Sequence, residues 1–405
     1  MKINKSTFYY ISILIFMFQP ILEENIGFFK YYDEITVAIL FFCAVVKLRF
    51  SKRSIRLLVY FAILTLIGLL GNFIGGAEQS SFAILQDIIS NGKIVFFAFA
   101  AEKIRIPDKQ KDILSDWLSF TVRALFLLMF VCAAVSQFVN LGMTTEVRFG
   151  IKSFKFLFPN PAGLNTYYYL YMILFSVTLF KNGKIRKFSN LFLVLGLISW
   201  SLTMRTRALT FAILYLGLYI YIVYLQKNTG KVKFKWYHAI VALAGGVLLG
   251  WESIEKYFFE NDKVARYLLS RTSFQIARDH FPIGTGYATF GTEASKIYYS
   301  DVYYKYRLAS FWGLSPNKST YITDQYWFGI IGQFGVVGTI LMVMIIVNIF
   351  KSIWGIARTE KALQLGALTL FMTSIFASIT AATFIQASII PSIMVFYLLY
   401  KRTES

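Results

Sequence analysis

Long apolar stretches, separated by short polar segments, recur from one end of the chain to the other. Most approach the ~20 residues that an α-helix needs to cross the hydrocarbon layer of a bilayer. The short alternating strands that are typical of outer-membrane barrels do not appear in the pattern. The pattern therefore predicts an all-α polytopic membrane protein with about twelve transmembrane helices. The predicted spans cover residues 8–22, 31–46, 57–76, 84–101, 119–141, 161–180, 189–204, 208–226, 237–251, 325–349, 362–380 and 384–400.

Composition supports a membrane protein over a soluble one. Of the 405 residues, 57% are hydrophobic and 15% are charged, whereas soluble domains carry about 25% charged residues. The two cysteines, Cys43 and Cys132, lie in apolar runs, and the two histidines have no neighbours at metal-ligand spacing. We therefore predict no disulfide framework, no metal site and no cofactor.

The formal net charge of +20 comes mostly from Lys and Arg between the predicted spans. In a soluble protein this charge would suggest nucleic acid, but here it indicates topology, and we expect no nucleic-acid partner. Cytoplasmic loops retain positive charge. On the side of residue 1 there are 24 Lys and Arg, against six in the short loops of the other side. We predict a multi-pass protein of the bacterial cytoplasmic (inner) membrane with both termini in the cytoplasm. No cleavage site follows residues 8–22, so we expect them to remain as the first span.

One segment between predicted spans, residues 252–324, is much longer than the other loops. It lies between the ninth and tenth spans. Loops longer than about 15 residues are usually functional or disordered, and this segment is too rich in aromatic residues to be disordered. The predicted organisation is membrane helices in 1–251, an extracytoplasmic cap with an amphipathic helix in 252–324, and membrane helices in 325–405.

The cap contains a helical pattern from Val264 to Arg278, with Tyr267, Arg271, Phe274 and Arg278 on one face. Two interpretations remain open. The stripe is either an interfacial helix whose arginines reach lipid headgroups or a clamp that grips phosphate oxygens through paired hydrogen bonds.

A turn punctuated by Pro and Gly follows this helix at residues 279–290. Gly284 and Gly286 allow the backbone to approach a ligand or another part of the chain closely, although such a pair more often marks only a turn.

Three further polar points fall on the same predicted outer face. Arg205 and Arg207 lie at a tight junction of two spans, where they either reach headgroups or mark a functional site. Arg148 precedes Pro159-Asn160-Pro161. Asp324 precedes the tenth span and its glycines, and is either an N-cap or a functional carboxylate. Those glycines, which also suit close helix packing, are Gly329, Gly332, Gly335 and Gly338.

The order of these features resembles the O-antigen ligase and O-antigen/capsule repeat-unit polymerase (Wzy) superfamily. The similar segments are Arg148 with Pro159-Asn160-Pro161, the run Arg205-Thr206-Arg207-Ala208-Leu209, Arg271 with the run Arg278-Asp279-His280-Phe281-Pro282-Ile283-Gly284-Thr285-Gly286, and Asp324-x-x-Trp327 before a Gly-rich span. Ligases of this superfamily typically have a His-Asn pair just before the span that follows the large loop. Here Asn317-Lys318-Ser319-Thr320 and Asp324-Gln325 occupy that region, which favours a polymerase.

The resemblance implies a GT-C-like fold and a glycosyltransferase. A growing glycan on undecaprenyl diphosphate would be transferred to another lipid-linked repeat unit, without metal. Arg205, Arg271 and Arg278 would converge around the diphosphate, with Arg148, Arg207 and Arg266 nearby. His280, Asp324 and Asp279 are the candidate bases for the acceptor hydroxyl. The expected partners are the lipid-linked oligosaccharide, membrane lipid, and a chain-length regulator and flippase of the same pathway. A ligase, or a transporter or flippase of lipid-linked glycan, remains the alternative.

Overall fold

The computed structural model describes residues 4–46, 51–226, 255 and 264–400, and this part of the chain is mostly helical. Its α-helices are α1 (Lys5–Met17), α2 (Gln19–Asn25), α3 (Tyr32–Val45), α4 (Lys52–Ile74), α5 (Ser81–Ala101), α6 (Asp108–Phe138), α7 (Pro161–Val177), α8 (Ser189–Ser201), α9 (Thr206–Ile220), α10 (Ala265–Asp279), α11 (Glu293–Ile297), α12 (Val302–Lys305), α13 (Tyr326–Ala357), α14 (Lys361–Ala377) and α15 (Ile389–Leu399). Two short antiparallel hairpins pair β1 (Thr144–Arg148) with β2 (Ile151–Phe154) and β3 (Phe180–Lys181) with β4 (Lys184–Ile185).

Five helices within the described ranges, α4, α5, α6, α9 with the π turn after it, and α13, are long and apolar enough to cross a bilayer. A sixth span is formed if α1 and α2, bent by 71°, are one broken helix. Three further predicted spans fall on the shorter apolar helices α8, α14 and α15. The predicted span at 237–251 lies outside the described residues. The protein is therefore a multi-pass helical membrane protein, whereas the count of about twelve spans stays a prediction.

The surfaces of the long helices agree with a lipid environment. Large apolar side chains such as Leu66, Phe73, Phe120 and Ile213 are exposed on the helices that are long enough to span. Water would penalise this arrangement, and hydrocarbon does not.

Polar contacts at the helix termini fall into two groups. Lys111 at the start of α6 donates to the carbonyl of Tyr400 after α15, and Lys361 at the start of α14 donates to the carbonyl of Gln226 after α9. At the opposite end of the bundle, Arg207 at the start of α9 contacts Thr380 beyond α14. We call this second end, where α4 ends and α13 begins, the loop end.

A kink in α13 receives the segment that follows α10. Gly335 has φ +59° and ψ −157°, a conformation that is essentially restricted to glycine, and it breaks the helical hydrogen-bond ladder. The carbonyls of Gly332 and Gln333 accept hydrogen bonds from the backbone amides of Thr285 (3.2 Å) and Gly286 (2.8 Å). Residues 282–291 thus form an inserted segment that satisfies backbone groups of the broken helix.

The inserted segment also packs against α4 and α5. Asn72 of α4 accepts from the amide of Tyr287 and donates to its carbonyl, each at 2.8 Å. The buried Asp87 of α5 accepts from the amide of Ala288 (2.6 Å) and from the side chain of Gln333 (2.7 Å). A Cβ on Gly284 would lie 2.6 Å from two carbonyl oxygens of α13. The close approach predicted for this glycine pair is therefore made to another part of the chain.

The described part of the predicted cap, residues 264–324, has a small hydrophobic core of its own. Its members include Leu269, Ile276, Phe290, Tyr303 and Leu314. This core joins α10 to α12 and to the segment that precedes α13.

Candidate functional site

An ion pair at the loop end joins the start of α10 to the start of α13. The Arg266 guanidinium lies 2.9 Å from the Asp324 carboxylate, and only 21% and 27% of the two side chains are exposed. Asp324 does not cap α13, because the N-cap is Gln325. The Asp324 carboxylate instead pairs with Arg266, which lies far from it in the sequence.

Arg207 extends this pair into a cluster. Its guanidinium donates to the hydroxyl of Thr380 at 3.0 Å, which holds it beneath the end of α14. Burial raises the pKa of the Asp324 carboxyl, and the positive charges of Arg266 and Arg207 oppose that rise. Arg207, Arg266 and Asp324, which we call the arginine cluster, therefore act on one another electrostatically.

The frame around the arginine cluster is made by the ends of α13 and α14. Trp327 donates its indole N–H to the hydroxyl of Ser378 (2.8 Å), and the amide of Tyr326 donates to the carbonyl of Ser378 (3.3 Å). These bonds fix the turn that carries Asp324 against the segment that carries Thr380. Trp327 of the Asp-x-x-Trp sequence thus has a positioning role.

A second pair of arginines adjoins the arginine cluster. Arg148 at the end of β1 and Arg205 just before α9 lie 2.9 Å and 3.3 Å from the same oxygen of Glu146. The amide of Phe154 on β2 donates to the carbonyl of Leu202, so the hairpin is tied to the end of α8. Arg205 is two residues from Arg207, so the pair that shares Glu146 adjoins the arginine cluster along the chain.

The carboxyl end of α10 carries a separate group of polar side chains. Arg278, with 81% of its side chain exposed, lies 3.3 Å from Asp279, which also accepts from the hydroxyl of Tyr306 at 3.1 Å. Lys305 Nζ lies 3.2 Å from His280 Nε2. Burial and the positive charge of Lys305 lower the pKa of His280, and Asp279 opposes this change. The lowered pKa favours the neutral form of the His280 imidazole.

The two groups lie at opposite ends of one helix. At 1.5 Å per residue, the backbone positions of Arg266 and Arg278 are about 18 Å apart along α10. The structure brings Arg207, Arg266 and Asp324 together, with Arg148 and Arg205 beside them. It places Arg278, Asp279 and His280 at the other end.

One face of α10 carries the residues that the sequence pattern places together, Tyr267, Arg271, Phe274 and Arg278. The helix predicted over 264–278 is observed at Ala265–Asp279. Leu269, Ser273 and Ile276 are buried, whereas Arg271, Phe274 and Arg278 are exposed. Arg271 therefore points away from the packed side of its helix, as an interfacial side chain does.

Sequence reasoning missed Glu146, Thr380 and the buried Asp33–Lys93 pair of α3 and α5. A signal existed for Lys93 and for Asp33, which lie in the predicted spans 84–101 and 31–46, because a charge inside an apolar span indicates function by default. Among the described residues, no group of three or more His, Cys, Asp or Glu side chains is arranged to hold a metal ion. Comparison of the chain with protein-family models and with curated proteins finds no match.

Proposed function

We propose that the protein is a polysaccharide polymerase that joins undecaprenyl-diphosphate-linked repeat units at the outer face of the bacterial cytoplasmic membrane. The observation that carries this proposal is the arginine cluster: two arginines and a carboxylate from three remote parts of the chain, shielded from water and held at one end of a membrane-helix bundle. The resemblance of the sequence to repeat-unit polymerases supplies the substrate class.

The arginines suit a leaving group that gains negative charge. In glycosyl transfer, the acceptor hydroxyl oxygen forms a bond to the anomeric carbon while the bond from that carbon to the phosphate oxygen breaks, and the lipid diphosphate leaves as an anion. Arg207 and Arg266 would stabilise this charge, and positioned donors are most effective where water is scarce. Arg148 and Arg205 would extend the site along the diphosphate.

The proton of the acceptor hydroxyl needs a base, and the geometry favours Asp324 over Asp279 and His280. Asp324 lies beside the two arginines, and its raised pKa makes its ionised form a stronger base than an ordinary carboxylate. Proton uptake by Asp324 would remove the charge that neutralises Arg266. The full positive charge of Arg266 would then face the leaving diphosphate at the moment when its own charge develops.

A test of this proposal uses purified full-length protein in lipid nanodiscs with a lipid-linked repeat unit as the only glycan. The expected result is a ladder of longer lipid-linked chains. Arg207→Ala and Arg266→Ala should each lower the rate of extension about 100-fold or more. Lysine at these positions should restore it only in part, since a point charge lacks the planar two-bond geometry. Arg358→Ala, at an exposed position at the opposite end of α13, is the matched control and should extend chains normally.

The same assay separates the rival functions. A ligase of the superfamily would leave the lipid-linked unit unchanged until a separate acceptor is added. A transporter is favoured by one observation, the ion pair between Lys93 and Asp33 that is buried inside the bundle. A transporter would move the labelled glycan across the membrane of a sealed vesicle without changing the length of the glycan. That result would refute the polymerase proposal.

A further inference from the structure

A second polar site at the loop end plays no part in the arginine cluster. It is a cavity of about 320 Å³ between the α1–α2 bend, α3, α5, α7 and the segment after α14. This volume lies at the lower end of the range for small-molecule sites. Its polar wall includes Gln19, Glu23, Lys30, Asp33, Glu34, Lys93 and Gln386. We call it the acidic pocket.

An ion pair that is almost completely buried forms the base of the acidic pocket. Lys93 of α5 donates to Asp33 of α3, and its ammonium lies 3.4 Å from Glu34. Asp33 also accepts from the side-chain amide of Gln19 at 3.2 Å. Burying charges inside a helix bundle is costly unless they are paired and hydrogen-bonded. This network holds the carboxylates of the pocket in fixed positions.

Three fully buried polar atoms in the pocket lack a hydrogen-bond partner among the described residues, and all three are oxygens. Within the described chain, Gln19 Oε1, Glu34 Oε2 and Gln386 Oε1 are buried and have no hydrogen-bond partner. Gln19 is only 3% exposed and uses its amide nitrogen on Phe29 and Asp33. The two amide oxygens only accept hydrogen bonds, and the Glu34 oxygen accepts one when that carboxyl is ionised. A ligand that satisfies them must therefore bring several donors.

Charge and shape narrow the class of ligand. Three carboxylates, on Glu23, Asp33 and Glu34, line the pocket with two lysines, and Lys93 is already engaged by Asp33 and Glu34. The two lysines, Lys30 and Lys93, offset most of this negative charge, so the pocket offers a phosphate group no surplus of positive charge. Tyr167, of which 7% is exposed, adds a small apolar patch to the wall. A neutral compound with many hydroxyl groups meets these requirements.

The acidic pocket and the arginine cluster are joined by one short segment of the chain. Thr380 binds Arg207, and Gln386, six residues later, lines the acidic pocket. Even a fully extended chain of six residues spans only roughly 20 Å. Between them, Phe384 packs against Tyr326 at the start of α13, which anchors the connecting segment.

We propose that the acidic pocket binds the terminal sugar of the acceptor glycan, whose hydroxyl groups donate to Gln19, Glu34 and Gln386. The identity of the ligand as an acceptor rests on the proposed function. The pocket would hold the neutral end of one substrate while the arginine cluster holds the diphosphate of the other.

The test measures binding of a lipid-free and phosphate-free sugar to full-length protein in nanodiscs. The probe is the repeat-unit oligosaccharide released by mild acid from the lipid-linked pool of the source cells, and binding is followed by saturation-transfer NMR. Gln386→Leu removes a pocket acceptor without touching the Lys93–Asp33 pair and should weaken binding at least tenfold. Glu34→Gln should weaken it similarly. Gln275→Leu, a half-buried glutamine of α10 outside the pocket, is the matched control and should bind as the unchanged protein does.

The outcomes separate this proposal from the polymerase proposal. Equal binding by the unchanged protein and by folded Gln386→Leu and Glu34→Gln variants would overturn the sugar assignment, as would absence of binding in a preparation that extends lipid-linked chains. In either case the polymerase proposal would stand. Conversely, sugar binding that both pocket variants weaken, in a protein that makes no ladder, would support a sugar site and refute the polymerase. A shared melting temperature among the variants shows that the fold is retained.

Discussion

The two ends of helix α10 carry similar residues in different surroundings. At its amino end, Arg266 meets Asp324, and Arg207 acts on the same carboxylate from a helix that begins about sixty residues earlier in the chain. At its carboxyl end, Arg278 is exposed and contacts its own neighbour, Asp279. The first arrangement shields charges from water and requires the whole fold, whereas the second is local and solvated. A candidate site therefore differs from an ordinary surface in having charged side chains that come together from distant parts of the chain and are shielded from water. The presence of arginine alone does not make this distinction.

The largest expected effect concerns the segment that anchors the carboxyl end of α10. Gly286 has φ +92°, and a Cβ there would lie far inside van der Waals contact with the backbone nitrogen of Asn72. We expect Gly286→Ala to lower the free energy of unfolding by about 3 kcal/mol or more, with a lower yield of folded protein and a lower melting temperature. Size-exclusion profiles and melting temperatures in detergent measure this loss.

A glycine in an open helical position provides the control for that variant. Gly217 of α9 has nothing within 4 Å of an added Cβ, so Gly217→Ala should change stability by no more than about 1 kcal/mol. If Gly286→Ala melts like Gly217→Ala, the inserted segment does not anchor α10 as described.

The next effect compares the candidate bases at the two ends. Asp324→Asn keeps the size of the side chain but cannot take up a proton at working pH, and it should slow chain extension about 100-fold or more. His280→Gln should change the rate less than about threefold, because His280 lies beside Lys305 at the far end of α10. Single-turnover extension rates give both values. A His280→Gln rate as low as that of Asp324→Asn would move the reaction to the carboxyl end.

These residues also show what the sequence can and cannot predict. Apolar periodicity located the long helices and the amphipathic helix at 264–278, because both patterns are local. The boundaries moved where polar residues extend a helix: α6 begins at Asp108 and not near 119. The partners of Arg207 and Asp324 depend on how α9, α10, α13 and α14 pack, which no local pattern encodes. The glycine pair at 284 and 286 signalled close approach, but only the fold identifies α4 and α13 as the surfaces approached.

A smaller expected effect is the dependence of the chain-extension rate on pH, which differs according to which end of α10 supplies the base. As the proposed base, Asp324 would have to be ionised for chain extension. Burial raises its pKa above the usual value of about 3.9, so the rate should fall as pH falls through the raised pKa. The folded protein binds this proton more tightly than the unfolded chain does. The contribution of Asp324 to the free energy of unfolding therefore increases as pH falls from the raised pKa towards about 3.9.

His280 offers the comparison, because its pKa is lowered below its usual value of about 6.5. The acid limb of the rate profile should persist in His280→Gln and disappear from the residual activity of Asp324→Asn. Extension rates and melting temperatures measured from pH 4.5 to 8.5 test both statements. If the acid limb disappears in His280→Gln, the titrating group lies at the carboxyl end of α10, and its assignment to Asp324 is wrong.

The smallest expected effect tests whether the carboxyl end of α10 is an ordinary exposed surface with no role in the reaction. Burial and the hydrogen bond to Asp279 raise the pKa of Tyr306 to about 12, so its hydroxyl remains a donor at any working pH. Tyr306→Phe removes one bond to an exposed carboxylate, and stability should fall by about 0.5 kcal/mol, with the extension rate within twofold of the unchanged protein. Tyr304→Phe, at an exposed neighbouring tyrosine, is the control and should change neither quantity. Melting curves and extension rates of the two variants, measured side by side, give the comparison. A loss of extension in Tyr306→Phe that approached the loss in Asp324→Asn would show that Asp279 acts in the reaction, and the distinction between the two ends of α10 would fail.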